Sequence, residues 1–340
     1  MLRDPCGRPV TNLRVSVIRE CNQRCLYCHR EGEPARTERE RLSREELGRV
    51  ARVAASLGIG KLKLTGGEPL LRRDLPGIIG DLAPLFGDVS LTTNGILLPP
   101  LAARLKEAGL GRVNISLDSV DPATYARMTG SDRLAEAVEG VRAARRAGLS
   151  PVKLNMVVIR GENGSQIPQM MRFSASEGAV LQLIELEAPK GRLSGEWYSE
   201  HHTDLSDVER ELARRAVRTT TRRMHHRRKY VVPLRPGSPP GPGRGGKEGA
   251  GTVEIEIVRP VHNSEFCQNC NRLRLSSDGR LVPCLFRGDR GVDIAGPLRR
   301  GATDGELAGL FACAVSRREP YWTGAPARVP GRGRGLGACP

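Results

Sequence analysis

Short apolar-rich runs recur along the chain at Leu13–Ile18, Lys61–Thr65, Val89–Thr93, Val113–Asp118, Val152–Ile159 and Leu181–Leu186. Their length and composition are those of β-strands. Between them the apolar period lengthens. After Ser43 and Glu46, which have the spacing of a capping box, Leu47, Val50, Ala51, Ala54 and Leu57 repeat at helical intervals until Gly58. Leu101 to Ala108 predicts a helix closed by Gly109, and Asp121-Pro122 offers an N-cap and a first-turn proline. A further helix over Leu134–Ala147 ends at Gly148. Six strands alternating with helices predict an α/β fold, a parallel (β/α)6 partial barrel. Active groups then belong at the carboxyl ends of the strands. Cys21–Cys28, Gly66–Pro69, Thr92–Asn94 and Ser116–Asp118 all fall there.

Past Pro189 the alternation breaks. Ser206 with Glu209 predicts a capped helix running through Val217. Arg222–Lys229 is a dense basic run containing His225 and His226, expected, like His201-His202, on a solvated surface. Pro239–Gly251 is rich in Pro and Gly and reads as a flexible linker, and Val253–Val258 as a strand. The chain therefore divides into a barrel over 1–188, a helical and basic segment with the linker over 189–251, a region over 252–322, and a basic, Gly-rich tail over 323–340 expected to be disordered.

Composition narrows the class. With 340 residues and 39% hydrophobic content the chain can bury a sizeable core. It has no uncharged apolar run of ~18 residues, and Met1–Pro5 lacks the apolar core of a signal peptide, so a cytoplasmic location is expected. The net charge of +16 favours polyanionic partners, RNA or a triphosphate. Aromatics are only 4%, so no stacking platform for single strands is evident. Of nine cysteines, six form two spaced triplets and Cys6, Cys313 and Cys339 stand alone. That pattern points to metal ligation over a disulfide framework.

The first triplet, Cys21, Cys25 and Cys28, sits in a loop directly after a strand. Three thiolates can hold three corners of a [4Fe–4S] cube and leave one iron open. A zinc knuckle is the alternative, but it needs a fourth ligand, and His29 is adjacent to Cys28. The spacing, with Tyr27 before the last cysteine, resembles that of the radical S-adenosylmethionine (SAM) superfamily. Gly66-Gly67-Glu68-Pro69 resembles that superfamily's grip on the methionine amino group. The resemblance implies SAM bound to the open iron and cleaved by one electron to a hydrogen-abstracting 5′-deoxyadenosyl radical.

The second triplet is Cys267, Cys270 and Cys284, and His262 leaves zinc open as an alternative there. Cys270–Gly279 with Cys284-Leu285-Phe286 resembles the C-terminal cluster motif of the GTP 3′,8-cyclases, the first enzymes of molybdenum cofactor biosynthesis. With Gly7-Arg8-Pro9, Leu13–Ser16 and Leu64–Leu70, the resemblance covers residues 7–188 and 252–322. It implies two [4Fe–4S] clusters, the second presenting its open iron to the guanine of GTP. Its product is 3′,8-cyclo-7,8-dihydro-GTP, passed to cyclic pyranopterin monophosphate synthase, with a flavodoxin- or ferredoxin-type electron donor. The implied catalytic residues are Arg14, Arg272 and Arg274, and the implied SAM contacts are Tyr27, Gly67 and Ser116. The implied GTP contacts are Arg14, Lys63, Thr92, Lys153, Arg272, Leu273 and Arg274. A triphosphate asks for such convergent cations, and Arg272 and Arg274 alternate along one strand-like face. Gln182 and Glu187 depart from the arginine and methionine of bacterial members, and Gly337-Ala338-Cys339-Pro340 replaces their terminal pair of glycines. Arg318–Trp322 resembles the end of shorter archaeal-type members. Two rivals remain: another twin-cluster radical SAM enzyme such as a peptide-modifying maturase, and a basic iron–sulfur or zinc protein that binds RNA.

Overall fold

The computed structural model describes residues 1–33, 39–187, 195–234, 251–286 and 291–323. Six strands, β1 (Asn12–Ser16), β2 (Lys61–Thr65), β3 (Asp88–Thr93), β4 (Arg112–Ser116), β5 (Val152–Val158) and β6 (Val180–Glu185), pair in parallel in chain order. Helices α1 (Arg44–Ser56), α2 (Leu75–Leu82), α3 (Ala102–Glu107), α4 (Pro122–Thr129), α5 (Leu134–Arg146) and α6 (Ile167–Ser176) fill the crossovers. This is the expected (β/α)6 partial barrel. Ser43 and Glu46 complete their capping box on α1, and Asp121 caps α4 through the Thr124 amide.

The chain after the sixth strand consists of α7 (Glu196–His201), α8 (Ser206–Arg215), β7 (Arg218–Thr221), β8 (Arg228–Pro233), β9 (Thr252–Val258), α9 (Ser264–Gln268), β10 (Arg272–Leu275), β11 (Arg280–Val282), β12 (Val292–Asp293), α10 (Ala295–Arg299) and α11 (Asp304–Ser316). These strands do not form a separate sheet. β9 adds in parallel to the β6 edge and β10 in parallel to the β1 edge, giving one twelve-stranded order β12-β11-β10-β1-β2-β3-β4-β5-β6-β9-β8-β7. The connection from β9 to β10, which carries Cys267 and Cys270, therefore spans from one edge of the barrel to the other.

Side chains alternate across the sheet, and the two faces differ in kind. One set, including Leu62, Leu64, Leu91, Val113, Ile115, Leu154 and Leu183, packs under the helices as the core. The other set is polar: Arg14 lies opposite Arg274 and Lys63, Asn114 opposite Thr92 and Lys153, and Gln182 opposite Glu256.

Three sequence expectations are corrected. Ser206 does not cap α8; it lies inside the first turn, where its amide and hydroxyl both donate to Asp204 (2.9 and 2.7 Å). The helix stops at Arg215, and Val217 leads into the hairpin of β7 and β8. The basic run at the tip of that hairpin is not a solvated face throughout: His225 is buried, and Arg227 points inward to Glu256 at 3.2 Å. His226 is more exposed and pairs with Glu265, and His202 is half-buried against Glu185. The linker over 239–250 and the tail over 324–340 lie outside the described residues.

Candidate active site

The first cysteine loop is held from three sides by backbone and amide contacts. The amides of Gly67 and Glu68 donate to the carbonyls of Ile18 and Glu20 (2.8 Å each), continuing the β1–β2 pairing past the strand ends. This close approach requires glycine: a Cβ on Gly67 would run into the carbonyl oxygens of Arg19 and Glu20. Asn94 reaches Asn22 at 2.7 Å, and the amides of Arg24 and Leu26 donate to the carbonyls of Thr129 and Met128 at the end of α4. Cys21 and Cys28 are exposed and Cys25 half-buried.

Two buried carboxylates stand behind this loop. Glu68 accepts from the Thr93 hydroxyl (2.7 Å) and from the amides of Asn94 (2.8 Å) and Leu70 (2.9 Å). Burial pushes its pKa up to about 7 against those three donors. Asp118 accepts from the Tyr27 hydroxyl (2.6 Å) and the Val157 amide (2.8 Å), and burial pushes it up to about 6. Tyr27, fixed in this way, and Gly67 both flank the thiols, while Ser116 ends β4 beside Asn155. Sequence reasoning named Tyr27 but not its partner Asp118, whose only signal was its place at a strand end.

Across the interior lies a cationic belt. Arg14, Lys63 and Arg274 are register neighbours on β1, β2 and β10, and Arg272 lies one row below opposite Asn12. Among the described residues neither Lys63 nor Arg272 has a carboxylate partner. Burial, and then the neighbouring cations, lower Lys63 well below the usual lysine range and bring Arg272 down to about 9. Among the described residues the buried Arg14 Nε, Arg272 Nε, Thr92 Oγ1 and Asn114 Oδ1 have no hydrogen-bond partner. Leu273, between the two arginines, points the other way into the core.

Two acids unforeseen from sequence organise this belt. Glu31, three residues beyond Cys28, bonds Arg14 and, at 2.6 Å, Arg274. Despite burial, the two guanidiniums hold its pKa at about 2. Arg30 and Glu31 reach this position through left-handed backbone, φ 51° and 54°. On the opposite side Glu256, fully buried, takes Lys153, Arg227 (3.2 Å), Arg222 (3.4 Å) and the Gln182 amide (2.8 Å). Lys153 falls to about 8 through burial, which Glu256 partly offsets. Gln182 thus ties Asn114 (3.1 Å) to Glu256, and Glu187 lies within electrostatic reach of Arg14 and Arg227.

The second cysteine loop rests on the first strand: the amides of Thr11 and Asn12 donate to the carbonyl of Asn271 (3.1 and 3.2 Å). His225 stacks on Phe266 with ring centroids 3.8 Å apart, and its amide donates to Asn269 (3.0 Å). Cys267, Cys270 and Cys284 lie within electrostatic reach of one another, as do Cys21, Cys25 and Cys28. Yet among the described residues no three cysteine, histidine or carboxylate side chains converge as a cage for one ion. A mononuclear zinc site would need such convergence, whereas a cubane offers three separate irons and asks for neighbouring, non-convergent thiolates. Each loop supplies three cysteine sulfurs, the donor set that three irons of a cubane take. His262 instead packs its ring on Trp322 at 4.1 Å.

A partial barrel with a three-thiol loop at its carboxyl end defines the radical SAM class. The model of that superfamily, "Radical SAM superfamily", matches residues 15–174, and "Molybdenum Cofactor Synthesis C" matches 179–324. The chain is 48% identical over 324 residues, 95% of its length, to a "Probable GTP 3',8-cyclase" of Pyrococcus horikoshii, 99% of which is covered. A namesake from Thermococcus kodakarensis is 46% identical over 322 residues, 95% of this chain and all of that one. The chain belongs to the GTP 3′,8-cyclase family of the radical SAM superfamily. Among solved structures, that of Streptococcus suis SuiB bound to precursor peptide SuiA superposes with a TM-score of 0.59 at 14% identity, covering 83% of this chain and 61% of that longer one. At that identity the likeness speaks for the fold. Membership brings a [4Fe–4S] cluster and SAM. No helix among the described residues is long and apolar enough to cross a membrane.

Proposed function

We propose that this chain converts GTP to 3′,8-cyclo-7,8-dihydro-GTP, the first step of molybdenum cofactor assembly. The observation that carries the reading is the belt of Arg14, Lys63, Arg272 and Arg274, two of its cations unpaired by carboxylates among the described residues, in a barrel with one thiol triplet after the carboxyl end of β1 and another flanking β10 and β11. Buried cations without anions are costly unless a ligand supplies the charge, and a triphosphate does so with several oxygens at once.

In this reading Cys21, Cys25 and Cys28 hold the first [4Fe–4S] cluster, and Cys267, Cys270 and Cys284 a second. When bound, the first cluster with SAM supplies a carbon-centred radical able to remove a hydrogen atom. The protein's own share is placement. Gly67 gives the methionine end room against the loop, Tyr27 is fixed by Asp118, and Ser116 offers a hydroxyl at the next strand end. Arg14, Lys63, Thr92, Lys153, Arg272 and Arg274 orient the triphosphate and nucleoside, while Leu273 anchors the two arginines by its burial. Fixed donors of this kind lower the cost of aligning the ribose with the radical source. A low-potential flavodoxin- or ferredoxin-type protein delivers the electron, cyclic pyranopterin monophosphate synthase takes the product, and the setting is the cytoplasm.

The test is an anaerobic reconstitution with iron and sulfide, followed by dithionite, SAM and GTP, reading 5′-deoxyadenosine and the cyclised nucleotide by mass spectrometry. Both should rise together, with about eight irons per chain. Deoxyadenosine with no nucleotide product would remove GTP as the substrate.

A further inference from the structure

The largest fully buried side chain among the described residues is an arginine: Arg318, just beyond α11, is 1% exposed. Its Nη1 lies 3.2 Å from Asp4 Oδ2, and its Nη2 donates to the carbonyl oxygen of Cys270 at 2.7 Å. The same Asp4 oxygen accepts from Arg8 Nε at 2.8 Å, and Arg8 Nη1 donates to the carbonyl oxygen of Cys267 at 2.5 Å. The other Asp4 oxygen accepts the amides of Cys6 and Arg8, both at 3.0 Å. Two guanidiniums thus share one carboxylate, and each has its far end on a backbone carbonyl of the second cysteine loop. Three segments far apart in sequence meet at this point.

Such an arrangement is expensive as mere packing. Two carbonyls can be satisfied by neutral donors, whereas burying three ionised groups carries a heavy desolvation penalty before their mutual attraction is counted. Two cations against one anion also leave a net charge of +1 in a buried place. The Cys270 sulfur lies within electrostatic reach of Arg318 and Arg8, and the Cys267 sulfur within reach of Arg8. We propose that Asp4, Arg8 and Arg318 are a positioning brace: they fix the backbone at Cys267 and Cys270, and their net positive charge tunes the cluster those thiols hold. This rests on the two-cluster reading above. Outer contacts of this kind orient ligands and shift their electronics.

The charge makes a signed prediction. Reduction adds a negative charge to a cluster, so a more positive brace favours the reduced form. Asp4→Asn raises the brace to +2, Arg318→Gln lowers it to zero, and Arg318→Lys keeps it at +1. The experiment uses the full chain with Cys21, Cys25 and Cys28 replaced by Ala, so that only the second site loads. After anaerobic reconstitution, iron content and an EPR-monitored redox titration are read for each brace variant, with thermal unfolding of the apo-protein as the folding control. The background should carry about four irons per chain. Its potential should move up in Asp4→Asn, down in Arg318→Gln, and little in Arg318→Lys. If Arg318→Gln does not fold, Asp4→Asn measured against Arg8→Lys reads the same sign. A background that binds no cluster overturns the two-cluster reading and the brace with it. A loaded cluster whose potential is unmoved, or shifts the same way in Asp4→Asn and Arg318→Gln, overturns the brace alone.

Discussion

Replacing Glu256 with Gln removes one charge and keeps the shape. Glu256 is 0% exposed and faces Lys153, Arg227 at 3.2 Å, Arg222 at 3.4 Å and Gln182 at 2.8 Å. Burial works to raise its pKa, but Arg227, Lys153 and Arg222 together bring it down to about 2 from an ordinary 4.5. Holding the carboxyl there contributes about 3 kcal/mol to folding at neutral pH. Mutational experience with buried ion pairs gives a similar figure, about 3–5 kcal/mol when one partner is removed. The sign follows from linkage. The unfolded chain takes up the proton near 4.5 and the folded one near 2, so this stability is complete above 4.5 and disappears as pH falls through 2. Gln cannot ionise. Urea unfolding of the apo-protein should therefore show Glu256→Gln weaker by about 3 kcal/mol at pH 7, with the gap narrowing by about 1 kcal/mol at pH 3.5. A variant within ~0.5 kcal/mol of the parent at pH 7, the scatter of ordinary surface substitutions, would refute the reasoning. So would a gap that does not change with pH.

Glu31→Gln should free Arg14 and Arg274, so that inorganic tripolyphosphate binds the apo-protein about tenfold more tightly by calorimetry at fixed ionic strength. Equal or weaker binding would mean that Glu31 shapes the arginines instead of competing for them. Because burial holds Lys153 at about 8, polyphosphate affinity should fall above that pH by at most about tenfold per unit, and Lys153→Met should flatten the profile. Gly67→Ala forces a methyl group into the carbonyls of Arg19 and Glu20. SAM affinity should drop by at least about tenfold while the far-ultraviolet circular dichroism stays unchanged. Cys25→Ala should abolish deoxyadenosine formation, whereas Cys270→Ala should keep some and lose the cyclised nucleotide; equal loss of both in Cys270→Ala would contradict the division of labour.

The barrel was legible because its strands and helices carry their own periods: each of the six strands sits within a residue or two of the run that predicted it. The thiol loops and Gly66-Gly67 were legible because their spacing has few other uses. What stayed hidden depends on partners remote in sequence. Arg227 and His225 read as solvated charge, since nothing local says that Glu256 waits 29 positions beyond Arg227 or that Phe266 will stack on the imidazole. β10, β11 and β12 are too short to show a period, and β10 owes its existence to pairing with β1. Glu31 was unreadable because left-handed backbone at two non-glycine residues aims it. α11 could have been found: Thr303 and Glu306 have the same capping-box spacing that identified α1.

β9 and β10 are consecutive strands of the chain, yet they sit on opposite margins of the barrel with the six strands β1 to β6 between them. The dozen or so residues that join them act as a tether, and a tether sets an upper limit on how far the two margins can part. Since Cys267 and Cys270 ride on the tether itself, opening of the barrel toward that limit would pull on the segment that carries them.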